Sequence, residues 1–428
     1  MNVLTKTLKN IDLRNKILFT MLILIVYRIG TFITVPGINN EVLYGTVLEA
    51  HVLGFLDALS GGALANFSIF AMSITPYITA SIIVQLLQMD VIPTLSEWAK
   101  EGETGKRKLN KLTRYMSLIM AFFQAIGLAV GFNFMADGIL LETRDPWVLL
   151  YIGVIMTAGT ATLLFLADQI TAKGIGNGTS MLIISGIMSS FPGMFRDIYQ
   201  TYLTDVTGIN IVAVITIIAL MVLTIIMVVY LQSATRKLPI QYANRHSSAQ
   251  LSGQKESFIP FKLNSAGVIP VIFASSIMSL PLTIANFFPG TRGAEITEMI
   301  FDFREPMGLA LYVILIALFT FFYAFVQVNP EKIAENLKKQ GSYIPGIRPG
   351  DDTENYVSKI LRRVTFIGAV YLIFIATLPI ILGFIITDMP PSLQIGGTGI
   401  LIVVGVALET AKQISNKNQE KEYRGFIK

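Results

Sequence analysis

Long apolar runs alternate with short polar ones along almost the whole chain. Ten runs are long enough to cross a bilayer as helices, near 17–35, 68–88, 115–135, 147–167, 179–195, 209–231, 266–285, 307–327, 364–386 and 396–411. This pattern predicts an all-α polytopic membrane protein. One stretch breaks it. Residues 54–67 are short, weakly apolar and interrupted by Gly61-Gly62, and the run after them carries Pro76. Non-helical backbone at membrane depth is tolerated only where protein buries it or a watery cavity meets it. Residues 54–87 therefore read as a half-helix and a helix lining a cavity, or as an outside loop before an ordinary helix.

Two pairs of spans resemble each other. Pro76, Ile78, Ala80 and Ser81 match Pro270, Ile272, Ala274 and Ser275 at an offset of 194. Gly178, Thr179, Leu182, Ile183 and Gly186 match Gly397, Thr398, Leu401, Ile402 and Gly405 at 219. Span two pairs with seven and span five with ten, as two five-span halves require. Five is odd, so the second half is inverted. Inverted repeats that enclose a midplane site are a recurrent membrane architecture.

Charge orients the chain. Of 33 Lys and Arg, 28 fall on the side of both termini and four (Arg144, Arg196, Arg292, Arg304) on the other, with Arg28 inside a span. The positive-inside rule then puts both termini in the cytoplasm. The expected organisation is a cytoplasmic N-terminus at 1–16 and a first half at 17–195. An external hinge at 196–208 leads to a second half at 209–411 and a tail at 412–428. Two basic cytoplasmic loops, 232–265 and 328–363, exceed what connectors need, which points to a cytoplasmic partner. The alternative is that they only obey the charge rule.

Composition narrows the chemistry. The chain is 53% hydrophobic and 14% charged, with two histidines and no cysteine. No metal site, disulfide or cofactor is expected, and no nucleophile motif or phosphate-binding loop is present. The first apolar run lacks a small-residue cleavage site and reads as a retained span. Residues four apart share a helix face, so Ile74 with Ile78 and Ile183 with Ile187 form stripes. Ile272 and Ile402 are the repeat equivalents of Ile78 and Ile183. If the repeated faces meet, six isoleucines converge at mid-membrane and make a constriction that seals without binding. Ordinary helix packing explains the same spacing. A secondary transporter on an inverted repeat is the competing function. It requires ionisable residues at a central site, and the candidates are few: Arg28, Asp57, Asp168 and Glu409.

Several motifs carry a family resemblance. Ser60-Gly-Gly-Ala-Leu64, Pro76-Tyr-Ile-Thr-Ala-Ser81 through Gln85, Glu101-Gly-Glu-Thr-Gly-Lys-Arg107, Gly174-Ile-Gly-Asn-Gly178, Asn264-Ser-Ala-Gly-Val-Ile-Pro270 and Ile344-Pro-Gly-Ile-Arg-Pro-Gly350 resemble the SecY family. The likeness covers nearly the whole chain. It implies a passive, non-enzymatic protein-conducting channel in the bacterial plasma membrane. Unfolded secretory precursors would pass through it, and signal sequences and membrane helices would leave sideways into lipid. The resemblance further implies that Ile74, Ile78, Ile183, Ile187, Ile272 and Ile402 form the pore ring. A plug lies at about 55–67, with Leu56, Asp57, Ala58, Leu59, Ser60, Gly61, Gly62, Ala63, Leu64, Ala65 and Asn66 at its centre. Ser81, Gln85, Gln124 and Ser275 sit on the lateral gate, where interhelical hydrogen bonds are expected. Arg236, Lys237, Arg245 and Arg348 dock the SecA motor ATPase or the ribosome. The implied partner subunits are SecE and SecG.

Overall fold

The computed structural model describes residues 11–425 except 39–56, 58, 90, 136–145, 205–207, 243–256, 286, 287, 289 and 387–390. Each expected span has a helix. The ten are α1 (Ile11–Gly30), α2 (Thr75–Leu87), α4 (Glu103–Met135), α5 (Pro146–Lys173), α6 (Gly178–Ile198), α7 (Gly208–Ser233), α8 (Ile269–Ala285), α10 (Pro306–Gln327), α12 (Asp351–Ile385) and α13 (Pro391–Gly425). Among the described residues three short α-helices lie between them, α3 (Pro93–Lys100), α9 (Arg292–Phe301) and α11 (Pro330–Lys339), and a π-helical turn (Tyr199–Leu203) continues α6. Seven of the ten are long and apolar enough to cross a membrane unaided; α2 and α8 are shorter.

Packing repeats with the sequence. In the first half α2 packs on α4, α4 on α5, α5 on α6, and α1 on α6. In the second half α8 packs on α10, α10 on α12, α12 on α13, and α7 on α13. These are the same four neighbours, five spans on. The halves meet through α2 with α8 and α6 with α13. Those are the two pairs of spans that the internal repeat aligns, so the equivalent faces meet each other.

Span boundaries moved where polar residues continue a helix. α4 begins at Glu103, α12 at Asp351, and α13 extends to Gly425. Helix propensity carries these helices beyond the apolar run into water. The second span moved the other way. Its helix starts only at Thr75, with Pro76 in the first turn, and residues 61–74 are turns. Phe67 (φ 43°) and Ser73 (φ 50°) adopt left-handed backbone, which stops a helix from starting earlier. At about 1.5 Å per residue, a 13-residue helix covers roughly 20 Å of a ~30 Å hydrocarbon core. The turns complete the crossing.

The first long loop holds strands that hydrophobic spacing did not predict. β1 (Thr235–Tyr242) pairs antiparallel with β2 (Ser257–Lys262) and, at Gln241 and Tyr242, with β3 (Ser342–Tyr343). Pro239 lies in the central strand, which ordinarily argues against a strand. Here β3 reaches only the end of β1, so Pro239 faces a partner on one side only. Leu238 and Phe261 are buried against Leu337, Ile344, Val357, Ile360 and Val364. The two long loops and the start of α12 are thus one packed unit.

Candidate functional site

All six isoleucines are buried in one apolar cluster, with Ile402 fully buried and Ile78 the most exposed at 8%. They come from the start of α2 and from α6, α8 and α13, and Leu59 and Ala63 pack in the same cluster. The close approach has a local cause. A Cβ on Gly399 of α13 would lie 2.8 Å from Cγ2 of Ile187, so a glycine is needed there for the two helices to meet.

The described residues of 57–74 make several hydrogen bonds within the segment. Ser60 Oγ accepts from the N–H of Leu64 (3.1 Å), and Ser68 Oγ from that of Phe70 (3.2 Å). Asp57 Oδ1 accepts from the N–H of Ala65 (2.8 Å), and the N–H of Gly62 donates to the Asp57 carbonyl (3.0 Å). The segment is also tied to the end of α1, where the N–H of Val35 donates to the Phe67 carbonyl (3.1 Å) and that of Ile69 to the Ile33 carbonyl (3.0 Å). Leu56 and Ala58 lie outside the described residues.

Side chains from two helices hold this segment. Tyr27 Oη donates to the Ser60 carbonyl (2.8 Å), and Arg28 Nη1 donates to the Gly61 carbonyl and to Ser189 Oγ (3.2 Å) on α6. The guanidinium also stacks over the Phe32 ring, 4.7 Å from its centroid. Gly61 has φ +72°, and a Cβ there would sit 2.9 Å from Cα of Gly186. Glycine at both positions lets the segment lie directly on α6. Sequence reasoning listed Arg28 without a partner and missed Tyr27 and Ser189. Backbone carbonyls are acceptors at every residue, so no side-chain pattern marks these contacts.

The remaining ionisable candidates for a carrier site are otherwise engaged or exposed. Asp168 pairs with Arg114 between α5 and α4. Glu409 is exposed on α13. Asp57 caps its own segment.

Between the halves lies a crevice. Thr75, Gln124 and Leu128 line it from one half, and Ser276, Ser279 and Leu280 from the other. Of the four expected gate residues, only Gln124 borders it. Gln85 Nε2 donates to Ser81 Oγ (3.0 Å) within α2. Ser275 Oγ lies 3.3 Å from Tyr312 Oη on α10, an interhelical contact inside the second half rather than across the crevice. Ser276 and Ser279 share a face with Leu280 at i, i+3 and i+4, and that spacing was the available signal.

On the unit that the two long loops form, Arg236, Lys237 and Arg348 are exposed. Lys237 lies over the Phe258 ring at 4.7 Å. The turn at Arg348 is held by its backbone, since Thr353 Oγ1 donates to the Arg348 carbonyl (2.8 Å). Arg245 lies outside the described residues.

Two inverted five-helix halves that meet at a buried apolar cluster define the class: a polytopic helical membrane protein. The SecY family signature matches residues 68–411. The chain is 51% identical over 433 residues to the protein translocase subunit SecY of Halalkalibacterium halodurans, covering 99% of this chain and all of that one. It is 49% identical over 434 residues to that of Bacillus subtilis, covering 99% of each. The chain belongs to the SecY family. Three solved structures share the fold at 18% identity, each covering 95% of this chain and 93% of theirs. One is described as a protein-conducting channel (TM-score 0.65) and one by a SecY plug domain that stabilises the closed channel (0.63). The third is Sec61 in a canine ribosome-channel complex from the endoplasmic reticulum (0.64).

Proposed function

We propose that this chain is the passive channel through which unfolded secretory polypeptides cross the bacterial plasma membrane and from which membrane helices pass into lipid. It is a channel subunit, not an enzyme. The observation that carries the reading is the burial of six isoleucines from both halves in one cluster at the interface. A carrier needs polar ligands at that depth. Apolar, branched side chains instead close on any polypeptide without holding it, and exclude ions by dewetting when empty. In this reading residues 57–66 are the plug and the α2–α8 crevice is the lateral gate. The 28-to-4 split of basic residues supports cytoplasmic termini.

The absence of cysteine allows a direct test. Single cysteines at Ile78, Ile183, Ile272 and Ile402 are expected to form disulfides with a cysteine in a stalled precursor, while cysteines at lipid-facing Phe123 and Val222 do not. No crosslink at the four positions in a translocating preparation would place the path elsewhere.

The cytoplasmic unit is the proposed dock for a driver, SecA or the ribosome, with SecE and SecG as the implied membrane partners. Arg348 supports this because its guanidinium is exposed while the backbone holds the turn. Arg348→Ala should lower SecA-driven transport about tenfold or more, the loss expected for one charge-assisted contact, with unchanged thermal stability. Normal transport by this variant would remove Arg348 from the dock.

A further inference from the structure

We infer that Tyr27, Arg28 and Ser189 form a polar latch that holds the plug in its seat, with Arg28 as its centre. The inference rests on reading 57–66 as the plug. Arg28 is a charge inside a span, where an unengaged guanidinium is costly. Its Nη1 reaches the Gly61 carbonyl, Ser189 Oγ (3.2 Å) and Thr31 Oγ1 (3.3 Å). One cation thereby ties α1, the plug and α6 together. One residue earlier, Tyr27 is 1% exposed and donates to the neighbouring Ser60 carbonyl at 2.8 Å. Its ring stacks on Phe70 beyond the plug, 6.1 Å between centroids.

Both latch donors engage backbone carbonyls of the plug. The internal bonds of the plug are a separate set, made by Asp57 and Ser60. The latch therefore fixes where the plug sits, and Asp57 and Ser60 fix its shape. Charge-assisted bonds are stronger than neutral ones, yet each is one of a few and can be surrendered singly. A latch of two bonds to the plug, one charge-assisted and one neutral, holds it closed and still releases when a polypeptide competes for the seat. Arg28 is thus a positioning residue, acting on the seal through the plug.

A reporter cysteine at Leu59, which is 2% exposed, tests this in the intact reconstituted channel. Its labelling rate by a membrane-impermeant maleimide measures how often the plug leaves. Arg28→Gln should raise the rate about tenfold or more, the loss expected for a charge-assisted bond. Tyr27→Phe, which keeps the ring, should raise it severalfold. Arg28→Lys should fall between the parent and Arg28→Gln, since it keeps the charge but loses the planar guanidinium's fixed donor geometry. Ser189→Ala should add little once Arg28 is already Gln, because the two act through one contact. Parent-like labelling in both Arg28→Gln and Tyr27→Phe would overturn the latch. If Arg28→Gln fails to fold, Tyr27→Phe with Ser189→Ala decides alone: faster labelling supports the latch and the parent rate overturns it. The readout needs no translocation, so a failed latch leaves the channel reading standing.

Discussion

Gly186→Val is expected to unseat the plug and leave the resting channel leaky. A Cβ at Gly186 would lie 2.3 Å from the Leu59 carbonyl oxygen and 3.2 Å from the Gly61 nitrogen. Both are backbone atoms, so no side-chain rotation relieves the clash. α6 is packed against α5, α1 and α13, whereas the plug is held by a few hydrogen bonds. The plug gives way, and its bonds to Tyr27 and Arg28 lengthen together. Overpacking of this kind costs about 1–3 kcal/mol. At 1.4 kcal/mol per factor of ten, the seated population falls relative to the unseated by about five- to 150-fold. Ion efflux from proteoliposomes should rise accordingly. Gly193→Val on the same helix is the control, since a Cβ there meets nothing within 4 Å. Equal leaks from the two variants would show that the seal does not depend on residues 59–61.

Ile402→Asp should open the constriction itself. Ile402 has no exposed surface and sits in a cluster of apolar side chains. An isolated carboxylate there is not stable without water or a partner, and burial without either costs several kcal/mol. Water follows the charge, the dewetted barrier is lost, and ions pass. With the plug released by Gly186→Val, leak should increase at least about tenfold again, as the barrier falls by ~1.4 kcal/mol or more. Ile402→Leu conserves volume and should stay tight. A tight Ile402→Asp channel at neutral pH would place the constriction away from Ile402.

The two experiments separate the two barriers. Gly186→Val acts on the plug and leaves the isoleucines in place. Ile402→Asp acts on the ring and leaves the hydrogen bonds from Tyr27 and Arg28 to the plug in place. A channel with both barriers requires each variant to leak, and requires the double variant to leak more than either.

The spans, the pairing of the halves and the isoleucine cluster were legible in the sequence because each is local or periodic. Crossing a hydrocarbon layer needs a run of apolar residues, and that run is visible residue by residue. The repeat matched Ile78 to Ile272 and Ile183 to Ile402, and the fold brings those equivalent faces together. The break at Gly61-Gly62 marked where the backbone is irregular, because buried irregular backbone needs small, permissive residues.

What only the tertiary structure decided lies in contacts between backbone and distant side chains. Arg28 meets Gly61 33 residues away and Ser189 161 residues away. Its main acceptor is a carbonyl, a group every residue carries, so no residue type announces the bond. The central strand with Pro239 was hidden for a related reason: whether a proline breaks a strand depends on which edge is paired, and β3 leaves that edge free. The gate crevice followed the same rule. Ser275 and Ser276 are adjacent in sequence, yet one faces Tyr312 and the other the crevice, and helix rotation against its neighbours made that choice. Local hydropathy sets which segments enter the membrane, and packing sets which side chains then meet.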